Sequence, residues 1–143
     1  MDDFIGIKIA LIKDDEVLVI QRDDKPGLRF AGMWDFPGGG RENSETPFEC
    51  IAREVNEELG ITLEPQSIIW QKIHPAMHDP NQTAYFMVAK INNDDISTIV
   101  FGDESQGWKM LRIDDFMLDP TVIEPLKSRL GDYLQSTAHH SST

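Results

Sequence analysis

Three glutamates, Glu54, Glu57 and Glu58, stand three and four residues apart, so a helix carrying them projects all three from one side. Like charges this close repel, and the cluster becomes tolerable when cations neutralise it. Carboxylate oxygens suit hard ions such as Mg2+ or Mn2+, whereas zinc wants Cys or His nearby. Arg53, four residues before Glu57, can pair with it and hold one carboxylate while the others bind an ion. Glu45 can support the same network from the preceding loop. Gly38, Gly39 and Gly40 let the backbone pass close to a ligand and offer a carbonyl oxygen to the ion.

The elements that must position these residues follow from local patterns. Phe4 to Ile12 alternates, with Ile5, Ile7, Ile9 and Leu11 on one side, which is the period of a half-buried strand. Lys13-Asp14-Asp15 reads as a turn into a second strand from Val17 to Arg22, giving a hairpin. The stretch Asp23 to Met33 has loop chemistry, and a short strand around Trp34-Asp35-Phe36 leads to Pro37 and the glycines. From Thr46 the period becomes helical, with Phe48, Ile51, Ala52, Val55 and Leu59 on one face. Thr46 is an N-cap, Pro47 fits the first helical position, Glu49 completes a capping box, and Gly60 ends the helix. The acidic patch lies roughly a third of a turn from the apolar stripe, so one side can be buried while the other faces a cleft. Further strands are expected at Ser67 to His74, Gln82 to Ile91 and Gly107 to Ile113. A closing helix is expected from Pro120 to Leu134, with Val122, Ile123, Leu126, Leu130 and Leu134 as its stripe. Strands interleaved with two helices predict an α/β domain with a mixed sheet covered on both faces. The small polar segment 136–143 is expected to be disordered.

At 143 residues with 40% hydrophobic content, the chain suits one domain, over residues 1–135. Its net charge of -12, from 25 acidic against 13 basic residues, repels a nucleic-acid polymer but not a small phosphorylated ligand bound through cations. The longest apolar runs fall far short of the roughly 20 residues that cross a bilayer, so no membrane partner is expected. The single Cys50 and the absence of an export signal in Met1-Asp2-Asp3-Phe4 favour the cytoplasm. Cys50 itself reads as a small packing residue.

Gly39, Glu45 and the run Arg53-Glu54-Val55-Asn56-Glu57-Glu58-Leu59-Gly60-Ile61 resemble the Nudix box of the Nudix hydrolases at every defining position. Trp34-Asp35-Phe36-Pro37-Gly38-Gly39 also resembles the strand that leads into the box in MutT-like members. The resemblance implies an α/β/α sandwich with a central mixed sheet. It implies hydrolysis of a nucleoside diphosphate linked to a group X, with Mg2+ or Mn2+ held by Glu54, Glu57, Glu58 and the backbone carbonyl near Gly38. Attack of water on phosphorus needs the anionic oxygens screened and a proton acceptor. In the family that base is a box glutamate, here Glu54 or Glu58, or one from a later loop, here Glu104.

Arg22, at a strand end, is the candidate for gripping substrate phosphates, and Trp34 for stacking on a base. Trp70 and Trp108 read as core. The expected substrate is a nucleoside triphosphate, such as 8-oxo-dGTP, cleaved to a monophosphate and pyrophosphate by a monomer or homodimer. ADP-ribose or a nucleotide sugar is the alternative within the same chemistry, and a catalytically inactive binding domain the alternative outside it. MutT carries an asparagine before a Glu-Pro pair near its last helix, where Ile123 precedes Glu124-Pro125 here.

Overall fold

The computed structural model describes residues 3–101 and 105–141. In chain order they form β1 (Gly6–Lys13), β2 (Glu16–Arg22), β3 (Trp34–Asp35), β4 (Gly38–Gly40), α1 (Pro47–Leu59), β5 (Ile68–Pro75), β6 (Thr83–Lys90), α2 (Asn93–Ser97), β7 (Ser105–Arg112), α3 (Ile113–Leu118) and α4 (Glu124–Ser141). The sheet runs β3-β2-β1-β6-β5, with β4 also paired to β1 and β7 to β2. Strand β1 is parallel to β6 and antiparallel to β2 and β4, so the sheet is mixed.

Alternation divides the core in two. Ile7, Ile9 and Leu11 of β1 join Leu18 and Ile20 of β2 under α1, through Ile51, Val55 and Leu59. Ala10, Ile12, Val17 and Val19 pack on the opposite face against Phe116 of α3 and Leu126 and Leu130 of α4. Apolar residues on both faces mark a sheet covered from both sides, and the result is the expected α/β/α sandwich.

Helix α1 forms as its sequence dictates. The Thr46 side chain accepts from the Glu49 N–H, the Glu49 carboxylate accepts from the Thr46 N–H, and Gly60 closes the helix in the left-handed conformation at φ 70°. Cys50 joins Ile51, Val55 and Leu59 on the buried side, each large apolar side chain there contributing about 1.5–3 kcal/mol of burial.

The closing helix differs from expectation at both ends. Residues 120–123 stay out of the helix: Pro120 and Thr121 form a turn closed by the Val122 N–H on the Asp119 carbonyl, and Val122 bridges to β3, where the Trp34 N–H donates to the Thr121 carbonyl and the Ile123 N–H to the Trp34 carbonyl. The helix therefore starts at Glu124, with Pro125 in its first turn, where the missing N–H costs little. It also continues to Ser141, into the segment expected to be disordered. A helix already nucleated and docked adds further residues at small cost even when they are Ser, Thr and His. Strand β4 and the short helices α2 and α3 were not expected.

Candidate active site

Glu54 and Glu58 lie one turn apart on α1 and are carried beneath β4. Glu58 Oε1 accepts the Gly38 N–H at 2.8 Å. The Glu54 carboxylate fills the space where a side chain at position 39 would begin, so a Cβ on Gly39 would overlap it. Gly38 is required for a different reason: it has a φ of 144°, and a Cβ there would run into the Ile7 carbonyl of β1. The glycines thus allow a strand edge to close over two carboxylates.

Burial dominates the electrostatics of this pair. It pushes the Glu58 carboxyl up to about 7, against the opposing pull of the Gly38 N–H and Lys8, and Glu54 adds its like charge. Glu54 is likewise raised by burial, with Arg53 pulling the other way. Taking carboxylates out of water disfavours their charged form.

Arg53 organises the remaining acids. Its Nε donates to Glu45 Oε2 at 2.7 Å and its Nη2 to Glu45 Oε1 at 3.1 Å. Nη2 also reaches the Gly40 carbonyl at 2.9 Å, and Nη1 reaches Glu57 at 3.1 Å and Glu54 at 3.3 Å. This forked pairing, the strongest kind of side-chain hydrogen bond, holds the Glu45 carboxyl down at about 2. One guanidinium therefore ties the loop before α1, the edge of β4 and the helix together.

Beside Glu58 opens a cleft of about 280 Å³ whose walls include Lys8, Arg22, Asp35 and Gly38. Asp35 is only 2% exposed; its Oδ2 accepts from Lys8 Nζ at 2.9 Å and from Arg22 Nη1 at 3.3 Å, and its Oδ1 from the Phe36 N–H at 2.7 Å. A buried carboxylate satisfied this fully fixes two cations at the mouth of the site. Lys8 and Asp35 escaped sequence reasoning. The available signal was a lysine inside an apolar strand and an aspartate flanked by aromatics, both out of place unless paired.

The structure thus brings together Gly38, Gly39, Glu45, Arg53, Glu54, Glu57, Glu58 and Arg22. It does not bring in Trp34, whose ring packs on the α4 face with Lys109 Nζ 4.2 Å from its centre. Trp70 packs against Phe86 and Tyr133. Glu104 lies outside the described residues. Cys50 is fully buried and burial pushes its thiol up to about 12, which leaves it inert.

The donor set fits a hard divalent ion. It is all oxygen, and two of its carboxylates, Glu54 and Glu58, are withdrawn from water against β4, where an ion would replace the lost hydration. Among the described residues no three ligating side chains converge as they stand. Glu57, with its side chain 56% exposed, is turned to Arg53, and Glu58 to Gly38. An ion bound here would draw on Glu54, Glu58 and Glu57, polarise a phosphate and activate water.

Comparison with known proteins places this geometry. A NUDIX domain model matches residues 5–131. The 8-oxo-dGTP diphosphatase of Proteus vulgaris is 30% identical over 90 residues, which cover 63% of this chain and 79% of that protein. The ADP-ribose pyrophosphatase of Methanocaldococcus jannaschii is 37% identical over 65 residues, 46% of this chain and 37% of that protein. The crystal structure of a MutT protein from Methanosarcina mazei Go1 superposes with a TM-score of 0.72 at 20% identity, covering 95% of this chain and 96% of the other. With the Arg53 network, the glycine edge over Glu54 and Glu58, and the mixed sheet all in place, this chain belongs to the Nudix hydrolase family.

Proposed function

We propose that the chain hydrolyses a nucleoside triphosphate, in the presence of Mg2+ or Mn2+, to a nucleoside monophosphate and pyrophosphate. The observation that carries this reading is the Glu54 and Glu58 pair, half-buried against β4, with a cation-lined cleft on one side and an apolar pocket across the strand. That pocket, about 230 Å³, is walled by Ile5, Ile7, Ala76, Met77 and Ala84 and shares Gly39 and Lys8 with the site. It suits a base, while Lys8 and Arg22 suit phosphate oxygens.

Glu54, Glu57 and Glu58 would hold a divalent ion here, which would supply screening of the phosphate charge and a lower proton affinity for the attacking water. Water attacks one phosphorus, the bond to the bridging oxygen breaks, and the water proton passes to a carboxylate. Glu58 is the first choice for that role, because it lines the cleft that holds Lys8 and Arg22; Glu54 is the second. Glu54, Glu57 and Glu58 serve the ion, Arg53 and Glu45 orient them, and Arg22 orients substrate.

Similarity to an 8-oxo-dGTP diphosphatase supports a triphosphate, and similarity to an ADP-ribose pyrophosphatase supports ADP-ribose as the second reading. Incubation with Mg2+ and a panel of nucleoside triphosphates, 8-oxo-dGTP, ADP-ribose and nucleotide sugars, with products resolved by chromatography, decides between them. Monophosphate plus pyrophosphate from a triphosphate is the expected result. Turnover confined to ADP-ribose or sugars favours the second reading, and no turnover at all favours a binding domain.

A further inference from the structure

One charged side chain has no place in the site described so far. Arg129, on α4, is only 6% exposed, yet it makes a single hydrogen bond among the described residues, from Nη2 to the Pro75 carbonyl at 2.9 Å. Among those residues no carboxylate lies within ion-pair distance of it. The buried Asp35, which acts on it electrostatically, is already occupied by Lys8, Arg22 and the Phe36 N–H. Buried guanidinium groups are normally paired, because desolvating a cation without acceptors is costly. This one instead lines the largely apolar pocket that shares Gly39 with the Glu54 site, where Ile5, Ile7, Met77 and Ala84 form walls and Lys8 and His78 are the other polar side chains.

A guanidinium offers five N–H donors in a rigid plane and no acceptor. Apart from the Nη2 bond to Pro75, its N–H groups have no hydrogen-bond partner among the described residues, which leaves them able to meet a ligand in the pocket. The apolar walls fit a flat ring, and the fork then selects a ring edge with two adjacent acceptors. Guanine presents such an edge in O6 and N7, whereas adenine replaces the O6 acceptor with an amino donor. Donor against donor leaves the buried guanidinium and the amino group both unsatisfied. Of the other polar side chains in the lining, Lys8 is held by Asp35.

We infer that Arg129 is a specificity-determining residue that favours guanine over adenine nucleotides, an inference that rests on reading the site as nucleotide-binding. The test is equilibrium binding of GMP and of AMP in the presence of Mg2+, measured by calorimetry on the intact protein, on Arg129→Met and on Arg129→Lys. Binding, not turnover, is read, so the result is independent of whether the glutamates hydrolyse a triphosphate. The intact protein is expected to bind GMP roughly 5- to 150-fold more tightly than AMP, the discrimination of one good bidentate arginine contact. In Arg129→Met that ratio falls to near one. Arg129→Lys, which keeps the charge but loses the fork, also loses most of it, and thermal melts of both variants confirm folding. No GMP preference in the intact protein, no binding of either nucleotide, or a preference retained in both variants overturns the inference. A GMP preference without triphosphate hydrolysis leaves Arg129 assigned and removes the proposed reaction instead.

Discussion

Replacing Glu58 by Gln is expected to stabilise the metal-free protein at pH 8 while removing its activity. The folded Glu58 carboxyl is raised from 4.5 to about 7 by burial. A raised folded value means stability that is fully present below the unfolded value of 4.5 and is lost as pH climbs through 7. At about 1.36 kcal/mol per unit, the loss has a ceiling of about 3 kcal/mol. Water reaching the carboxylate through the cleft screens part of it, so roughly 1–2 kcal/mol is expected. For a chain of this size that is a rise of roughly 3–6 °C in Tm. Glutamine keeps an oxygen to accept the Gly38 N–H and carries no charge to desolvate. The assay is a thermal melt in EDTA of both proteins at pH 5 and pH 8. The variant should gain most at pH 8 and little at pH 5, where the native carboxyl is already protonated. Mg2+ should stabilise the native protein more than the variant, because the ion supplies the charge that burial lacks. A variant less stable than the native protein at pH 8, or shifted equally at both values, refutes the electrostatic account of this site.

Other perturbations probe the scaffold around the pair. Arg53→Lys loses the fork onto Glu45 and the bonds to Gly40, Glu54 and Glu57; it should cost on the order of 2 kcal/mol in denaturant melts and lower the rate by orders of magnitude. Gly39→Ala has no positive φ to oppose it, but its Cβ displaces the Glu54 carboxylate. A Mg2+ affinity reduced roughly 10- to 100-fold, with Tm changed by a few degrees at most, is the expected outcome in a metal titration. Thr46→Ala removes the cap of α1 and should cost about 1 kcal/mol without changing activity per folded molecule.

How much of this was legible in the sequence depended on distance along the chain. Thr46, Glu49 and Gly60 set the ends of α1 by contacts within four residues, so its bounds and its acidic face could be read directly. The hairpin of β1 and β2 is likewise local. Strand β4 was not legible, because three glycines have no strand preference and adopt one only by pairing with β1 thirty residues away. Residues 120–123 looked helical by period, but a turn at Pro120 and Thr121 and a backbone bridge from Val122 to Trp34 keep them out of the helix. Trp34 looked like a stacking residue by type, and its strand register turned it to the other face. Lys8, Asp35 and Arg129 come from three separate elements, and only the folded sheet reveals that one buried carboxylate holds Lys8 and Arg22 while Arg129 keeps a single bond to the Pro75 carbonyl. Glu57 shows the reverse limit: its spacing placed it with Glu54 and Glu58, while its exposure lets Arg53 draw it aside.

The central claim is that these glutamates support divalent-ion-dependent hydrolysis. Its most direct test is the rate of nucleoside triphosphate hydrolysis as a function of free Mg2+ for the native protein and for Glu57→Gln. Saturable dependence on Mg2+ in the native protein, with a rate lower by orders of magnitude in the folded variant, is the predicted result. Hydrolysis that persists in EDTA, or a Glu57→Gln protein with the native rate and the native Mg2+ dependence, would contradict it.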